Sequence, residues 1–208
     1  MNTKERIAKV IRVLSVPPIM VSVFILIIAS NKKYIFTHIS QIIIMILLLG
    51  IVPAFAYVLS NMISAVKIKG KERQRKLAFI TTLIGYTVSL LWAVITGVNN
   101  DLMLICLMYF TSVLLLTICN KGLHFRASGH ASSFTGPLIL TIYFMGWKVI
   151  IPALFIAILI VWSSVYLKRH TLKELAGGMI VSVFAFIISY TLITVLYSNL
   201  VMTSRVIQ

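Results

Sequence analysis

Two short polar islands interrupt an otherwise apolar chain, and each carries a histidine: Ser128-Gly129-His130, and the stretch from Ser163 to Glu174 around His170. In the first, Arg126, Ser128 and Gly129 closely precede His130 at the start of an apolar run. A guanidinium, a hydroxyl and the backbone N–H groups of a helix start, gathered into so few residues, make an anion site. Gly129 permits close backbone approach, and Lys121 brings a mobile point charge within reach of the same loop. In the second island Glu174 follows His170 by one helical turn and shares its face. A carboxylate so placed holds one imidazole nitrogen and leaves the other to attack. Two histidines in separate loops allow one to be a nucleophile and the other a general acid and base. These groups suit the holding of a phosphate and attack on its phosphorus.

The elements that must position them are membrane helices. Of the 208 residues 60% are hydrophobic and 11% charged, and the mean hydropathy is +1.05, which marks an integral membrane protein. Continuous Ile, Leu, Val and Phe runs without strand alternation imply an all-α fold, a polytopic transmembrane bundle of six to seven spans forming one domain over 1–208, with the motifs in 102–199. Candidate spans lie near 10–30, 41–60, 78–98, 102–119, 131–146, 149–167 and 175–199. Pro17-Pro18 interrupts the first, so that residues 1–16 have an alternative as an amphipathic interfacial helix carrying Lys4, Arg6, Lys9 and Arg12. The double proline and Lys32-Lys33 argue for a retained helix and against a cleaved leader. Asn99-Asn100-Asp101 and Gly146-Trp147-Lys148 read as tight hairpins.

With seven alternating spans, 15 of the 19 basic residues, all except Lys32, Lys33, Lys148 and Arg205, fall on the face that holds both histidine islands. Setting aside Lys121, Arg126, Lys168, Arg169 and Lys173, the bias still points the same way, carried mainly by Lys67, Lys69, Lys71, Arg73, Arg75 and Lys76. The positive-inside rule makes this face cytoplasmic, and the expected location is the cell membrane of a bacterium or archaeon.

The spacing Ser163-Ser164-x5-His170-x3-Glu174 resembles the third signature, SRxxxxxHxxxD, of the type 2 phosphatidic-acid phosphatase and vanadium haloperoxidase superfamily. Ser128-Gly129-His130-Ala131 resembles its second, PSGHA, and order and chain location agree. The likeness extends over residues 120–178, closest to a compact membrane branch with a Ser-x-His-x5-Gly-Pro pattern (Ser128, His130, Gly136, Pro137) and an Arg-His-Thr run (Arg169 to Thr171). It implies that His170 becomes phosphorylated, His130 protonates the leaving group, Glu174 orients the His170 ring, and basic residues hold the phosphate, with Ser128 and Gly129 lining its pocket. Four departures stand out. The first signature, KxxxxxxRP, is absent, and Lys121-x4-Arg126 is expected to do its work. Ser164 replaces the third-signature arginine, whose charge is expected from Lys168 or Arg169. Ala127 replaces proline, and Glu174 replaces aspartate with one more methylene.

Other polar and aromatic residues have plainer readings. His38 and His124 read as headgroup-level groups, Gly177-Gly178 as a close helix contact, and Pro137 as a bend or the start of a span. Residues 67–76 read as a topology determinant, with an anionic-lipid anchor as the alternative. Tyr86, Trp92 and Trp162 read as packing or interface aromatics, and Cys106 and Cys119, without metal-ligand spacing, as small apolar residues. The resemblance implies a lipid phosphate phosphatase acting on a monoester or diphosphate (a prenyl or polyprenyl diphosphate, phosphatidate or phosphatidylglycerophosphate) without metal or cofactor. The expected partners are that substrate and the membrane. Nucleic acid is not expected, because the net charge of +15 belongs to membrane loops. The alternative is a catalytically silent relative that binds or transports anionic lipids, favoured by Ser164 and the missing first signature. An unrelated transporter would need the repeat signature that the chain lacks.

Overall fold

In a hydrocarbon layer no water satisfies backbone N–H and C=O groups, so an apolar run satisfies them within itself as a helix. The computed structural model describes the backbone of residues 2–56 and 70–206 and the side chains of 2–56 and 76–196. Among the described residues there are eight helices and no strand: α1 (Thr3–Leu14), α2 (Pro17–Asn31), α3 (Ile39–Ala56), α4 (Gly70–Thr96), α5 (Asn100–Thr117), α6 (Gly129–Met145), α7 (Ile150–Tyr166) and α8 (Leu172–Val206). The all-α bundle expected from composition is what the chain forms.

Five of these segments, α3, Lys76–Thr96 of α4, α5 extended to Gly122, α7 with the short turn before it, and Leu172–Leu196 of α8, are long and apolar enough to cross a membrane. Helices α1 and α2 make a sixth if they count as one broken span. The count falls below the seven apolar runs for two reasons. Pro17 and Pro18 occupy the first two positions of α2, where a missing N–H costs nothing, but they cannot continue α1. The chain therefore bends by 62° between the two helices. Helix α6 has 17 residues, about 25 Å at 1.5 Å per residue, against a layer of roughly 30 Å. It stops at Gly146, whose φ of +80° few other residues adopt.

Lipid tails are as apolar as leucine, so burial alone does not hold such a bundle together; close packing and polar ties do. Helix α8 packs along α5 and α6, α4 along α5, α2 along α6, and α1 against α7. Two buried hydroxyl pairs cross these seams, Ser132 with Ser182 at 2.8 Å and Ser189 donating to Thr111 at 3.3 Å. The main core joins α2 through α6 and α8 around Phe24, Ile25, Met45, Leu102, Ile105 and Leu140. A smaller cluster, Ala131, Phe134, Ile160 and Leu175 with Ile11 and Met20 against it, ties α1, α2, α6, α7 and α8 together at one end. At the opposite end Asn99 caps α5 and donates to the carbonyls of Tyr34 and Ile35, locking the α2–α3 connection to the α4–α5 hairpin.

Candidate active site

The small cluster is the floor of a polar site built from the first turns of α6 and α8, the last turn of α7 and the α1–α2 elbow. Helix α6 starts at Ser128, whose side chain accepts from the Ala131 N–H at 3.2 Å, an N-cap that frees the next turn to carry His130. Helix α8 starts with a capping box. Thr171 Oγ1 accepts from Glu174 N–H, and Glu174 Oε2 accepts from Thr171 N–H, both at 3.2 Å. The two starts are stitched together where Ser128 N–H donates to the Glu174 carbonyl at 2.9 Å. Such close approach requires glycine. A Cβ on Gly178 would collide with the Ser128 carbonyl oxygen, and one on Gly177 with the Phe125 ring. A Cβ on Gly129, by contrast, would meet nothing within 4 Å, so packing does not explain that glycine.

His130 and His170 face each other with ring centroids 6.2 Å apart and planes 6° from parallel. Glu174 Oε2 takes His170 Nδ1 at 3.2 Å, and Oε1 takes Arg126 Nε at 3.2 Å. A carboxylate on Nδ1 favours the tautomer whose lone pair is on Nε2, the nucleophilic form. At that separation both rings can contact a single phosphate-sized group. His130 lies at the face of the bundle, before the apolar run 131–146. Burial, then the Arg12 guanidinium, then His170 push its pKa down to about 3, leaving a neutral ring at pH 7.

Of the residues picked from sequence, the fold brings His130, His170, Glu174, Arg126, Ser128 and Gly129 together. Lys121 is turned towards α4, its ammonium 5.6 Å from the centre of the Phe79 ring. Lys168, at a φ of +50°, and Arg169 lie exposed in the α7–α8 turn, which is tied by their backbone N–H groups to the carbonyls of Val165 and Ser164. The basic run from Lys67 to Arg75 lies outside the described side chains.

Two further residues reach the site, Ser15 and Arg12, the latter read from sequence as a cation of an interfacial helix and not as part of the site. Arg12 Nη1 donates to Ser164 Oγ at 3.3 Å, and Ser15 Oγ shares a 3.3 Å hydrogen bond with His130 Nε2. Both project from the inward face of α1, which also carries buried Ala8. Their spacing from Ala8, four and then three residues, is a sequence signal for a shared helical face. Nothing in that spacing names a partner 152 or 115 residues away. No family model, curated protein or solved structure matches the chain.

Proposed function

We propose that the protein is a membrane lipid phosphate phosphatase that works through a phosphohistidine. The observation that carries this is the parallel His130–His170 pair, with His170 held through Nδ1 by a carboxylate that Arg126 also engages. His170 Nε2 attacks phosphorus, the N–P bond forms as the P–O bond to the lipid breaks, and the leaving oxygen takes a proton through His130. Water then gives its proton to His130 and attacks the phosphoryl group, releasing phosphate and restoring His170. Arg126 and the N–H groups around Ser128 and Gly129 meet the phosphate charge. Neutral His130 is compatible with its role, since an incoming phosphate anion opposes the effect of burial, offsets the Arg12 charge and so favours the imidazolium. The substrate is a lipid monophosphate or diphosphate whose tail stays among the helices, and the site face is cytoplasmic.

The test is phosphate release by the purified protein in detergent with chelator present, offered phosphatidate, phosphatidylglycerophosphate and prenyl and polyprenyl diphosphates. Activity on at least one, lost in both His130→Ala and His170→Ala, is the expected result. A second reading, a silent binder of anionic lipids, draws on the capping box, because helix capping alone accounts for a glutamate at position 174. It is favoured if wild type binds such lipids and releases no phosphate from any.

A further inference from the structure

We propose that Arg12, carried into the site by α1, is a phosphate-binding residue, with Ser164 as the hydroxyl that aims its guanidinium. This deepens the phosphatase reading and rests on it for the nature of the anion. The guanidinium is half-buried, reaches the fully buried Ser164 across the α1–α7 seam at 3.3 Å, and emerges one turn before Ser15, which holds His130. Its field is felt at the His130 ring. With Arg126 and two histidines nearby and Glu174 the acidic side chain among them, the cluster carries excess positive charge when both rings are neutral. A guanidinium offers planar paired donors matched to phosphate oxygens.

The way α1 sits supports a role in the site. Ala8, Ile11, Arg12 and Ser15 face the bundle, while Ile7, Val10 and Leu14 are exposed on the other side. Helix α1 therefore has one apolar flank for the bilayer interface and one face that completes the site. The 62° elbow at Pro17-Pro18 turns that face over the first turn of α6, where an uninterrupted helix would carry Arg12 away along the α2 axis.

The competing role is a strut, in which the Arg12–Ser164 bond only docks α1. Arg12→Gln separates the two, since the amide keeps a donor for Ser164 and removes the charge. Full-length protein in detergent is titrated with inorganic phosphate and binding is read by calorimetry, alongside lipid phosphate hydrolysis and thermal unfolding. Arg12→Gln should weaken phosphate binding by about ten- to a hundredfold with little change in Tm. Adding Ser164→Arg should restore most of the loss, because a guanidinium planted there starts beside the vacated position. Phosphate binding by Arg12→Gln equal to wild type overturns the proposal, as does wild type that binds no phosphate. If Arg12→Gln is poorly folded, Arg12→Lys keeps charge without the fork, and wild-type Tm with wild-type phosphate affinity in that variant sinks the paired-donor role. Wild type that binds phosphate through Arg12 yet hydrolyses no lipid phosphate leaves Arg12 in place and removes the phosphatase. Hydrolysis that persists unchanged in Arg12→Gln does the reverse.

Discussion

A single carboxylate, Glu174, holds three neighbours at once: the His170 ring, the Arg126 side chain and the Thr171 N–H. The two histidines around it are distinguishable by trapping. With a labelled lipid phosphate and acid-free quenching, wild type and His130→Ala should yield a phosphoprotein adduct that acid destroys, and His170→Ala should not. His130→Ala should also slow turnover by about 10²- to 10⁴-fold, the usual contribution of a general acid and base. An adduct that persists in His170→Ala would falsify the nucleophile assignment. Protonation gives a second test. Since His130 is held neutral with a pKa of about 3, an anion that raises that value past the working pH brings proton uptake with it. Sulfate does not titrate near pH 6, so calorimetry with sulfate in two buffers of different ionisation enthalpy should register a proton taken up by wild type and not by His130→Ala. Equal heats in the two buffers would mean that His130 stays neutral in the complex.

At the scale of elements, the site depends on how closely α8 approaches the first turn of α6. Gly178 makes that approach, and a methyl group there must displace the Ser128 carbonyl or the Ala131 side chain. Gly178→Ala should therefore cost about 1–3 kcal/mol of stability as overpacking and move His130 relative to His170. The expected readout is a lowered Tm together with a loss of kcat larger than any stability loss at the assay temperature explains. Gly129→Ala, at a position facing open space, should leave Tm near wild type and affect substrate binding instead. If Gly178→Ala folds and turns over normally, the α6–α8 stitch does not set the geometry of the histidine pair. The Gly177-Gly178 pair reads from sequence as a close helix contact, and the fold identifies its partners as Phe125, Ser128 and Ala131.

Across the whole molecule, the polar site gathers at one end while Lys32, Lys33 and Lys148 belong to the connections at the other. The proposed orientation, with the site end in the cytoplasm, rests on the positive-inside bias and can be checked directly. After replacement of Cys106 and Cys119, a cysteine at Lys148 should react with a membrane-impermeant thiol reagent on intact cells. A cysteine at Lys69 should react only in inverted vesicles. The opposite pattern reverses the orientation and puts the hydrolysed headgroup outside the cell.

Much of this protein was legible in its sequence because the relevant physics is local. Apolar runs of about 20 residues must be helices in a bilayer, a His-x3-Glu spacing keeps a carboxylate within reach of the imidazole, and Ser-Gly-His at the edge of an apolar run marks a helix start. The all-α bundle and the pairing of Glu174 with His170 follow from those rules, although His170 and Thr171 precede α8, so the contact is made through the capping turn and not along one helical face. The hydroxyl of Ser128, read from sequence as part of a phosphate pocket, caps α6. What only the tertiary structure decided is which separate elements meet. Lys121, close in sequence to His130, turns to Phe79 on α4, while Arg12, more than a hundred residues away, reaches Ser164. The span count also required the fold, since hydropathy reads composition and is blind to the 62° bend at Pro17-Pro18 and to the early stop of α6 at Gly146. The reason is the same in each case: side-chain periodicity sets the face a residue occupies, but helix packing and the angle of an elbow set what that face meets.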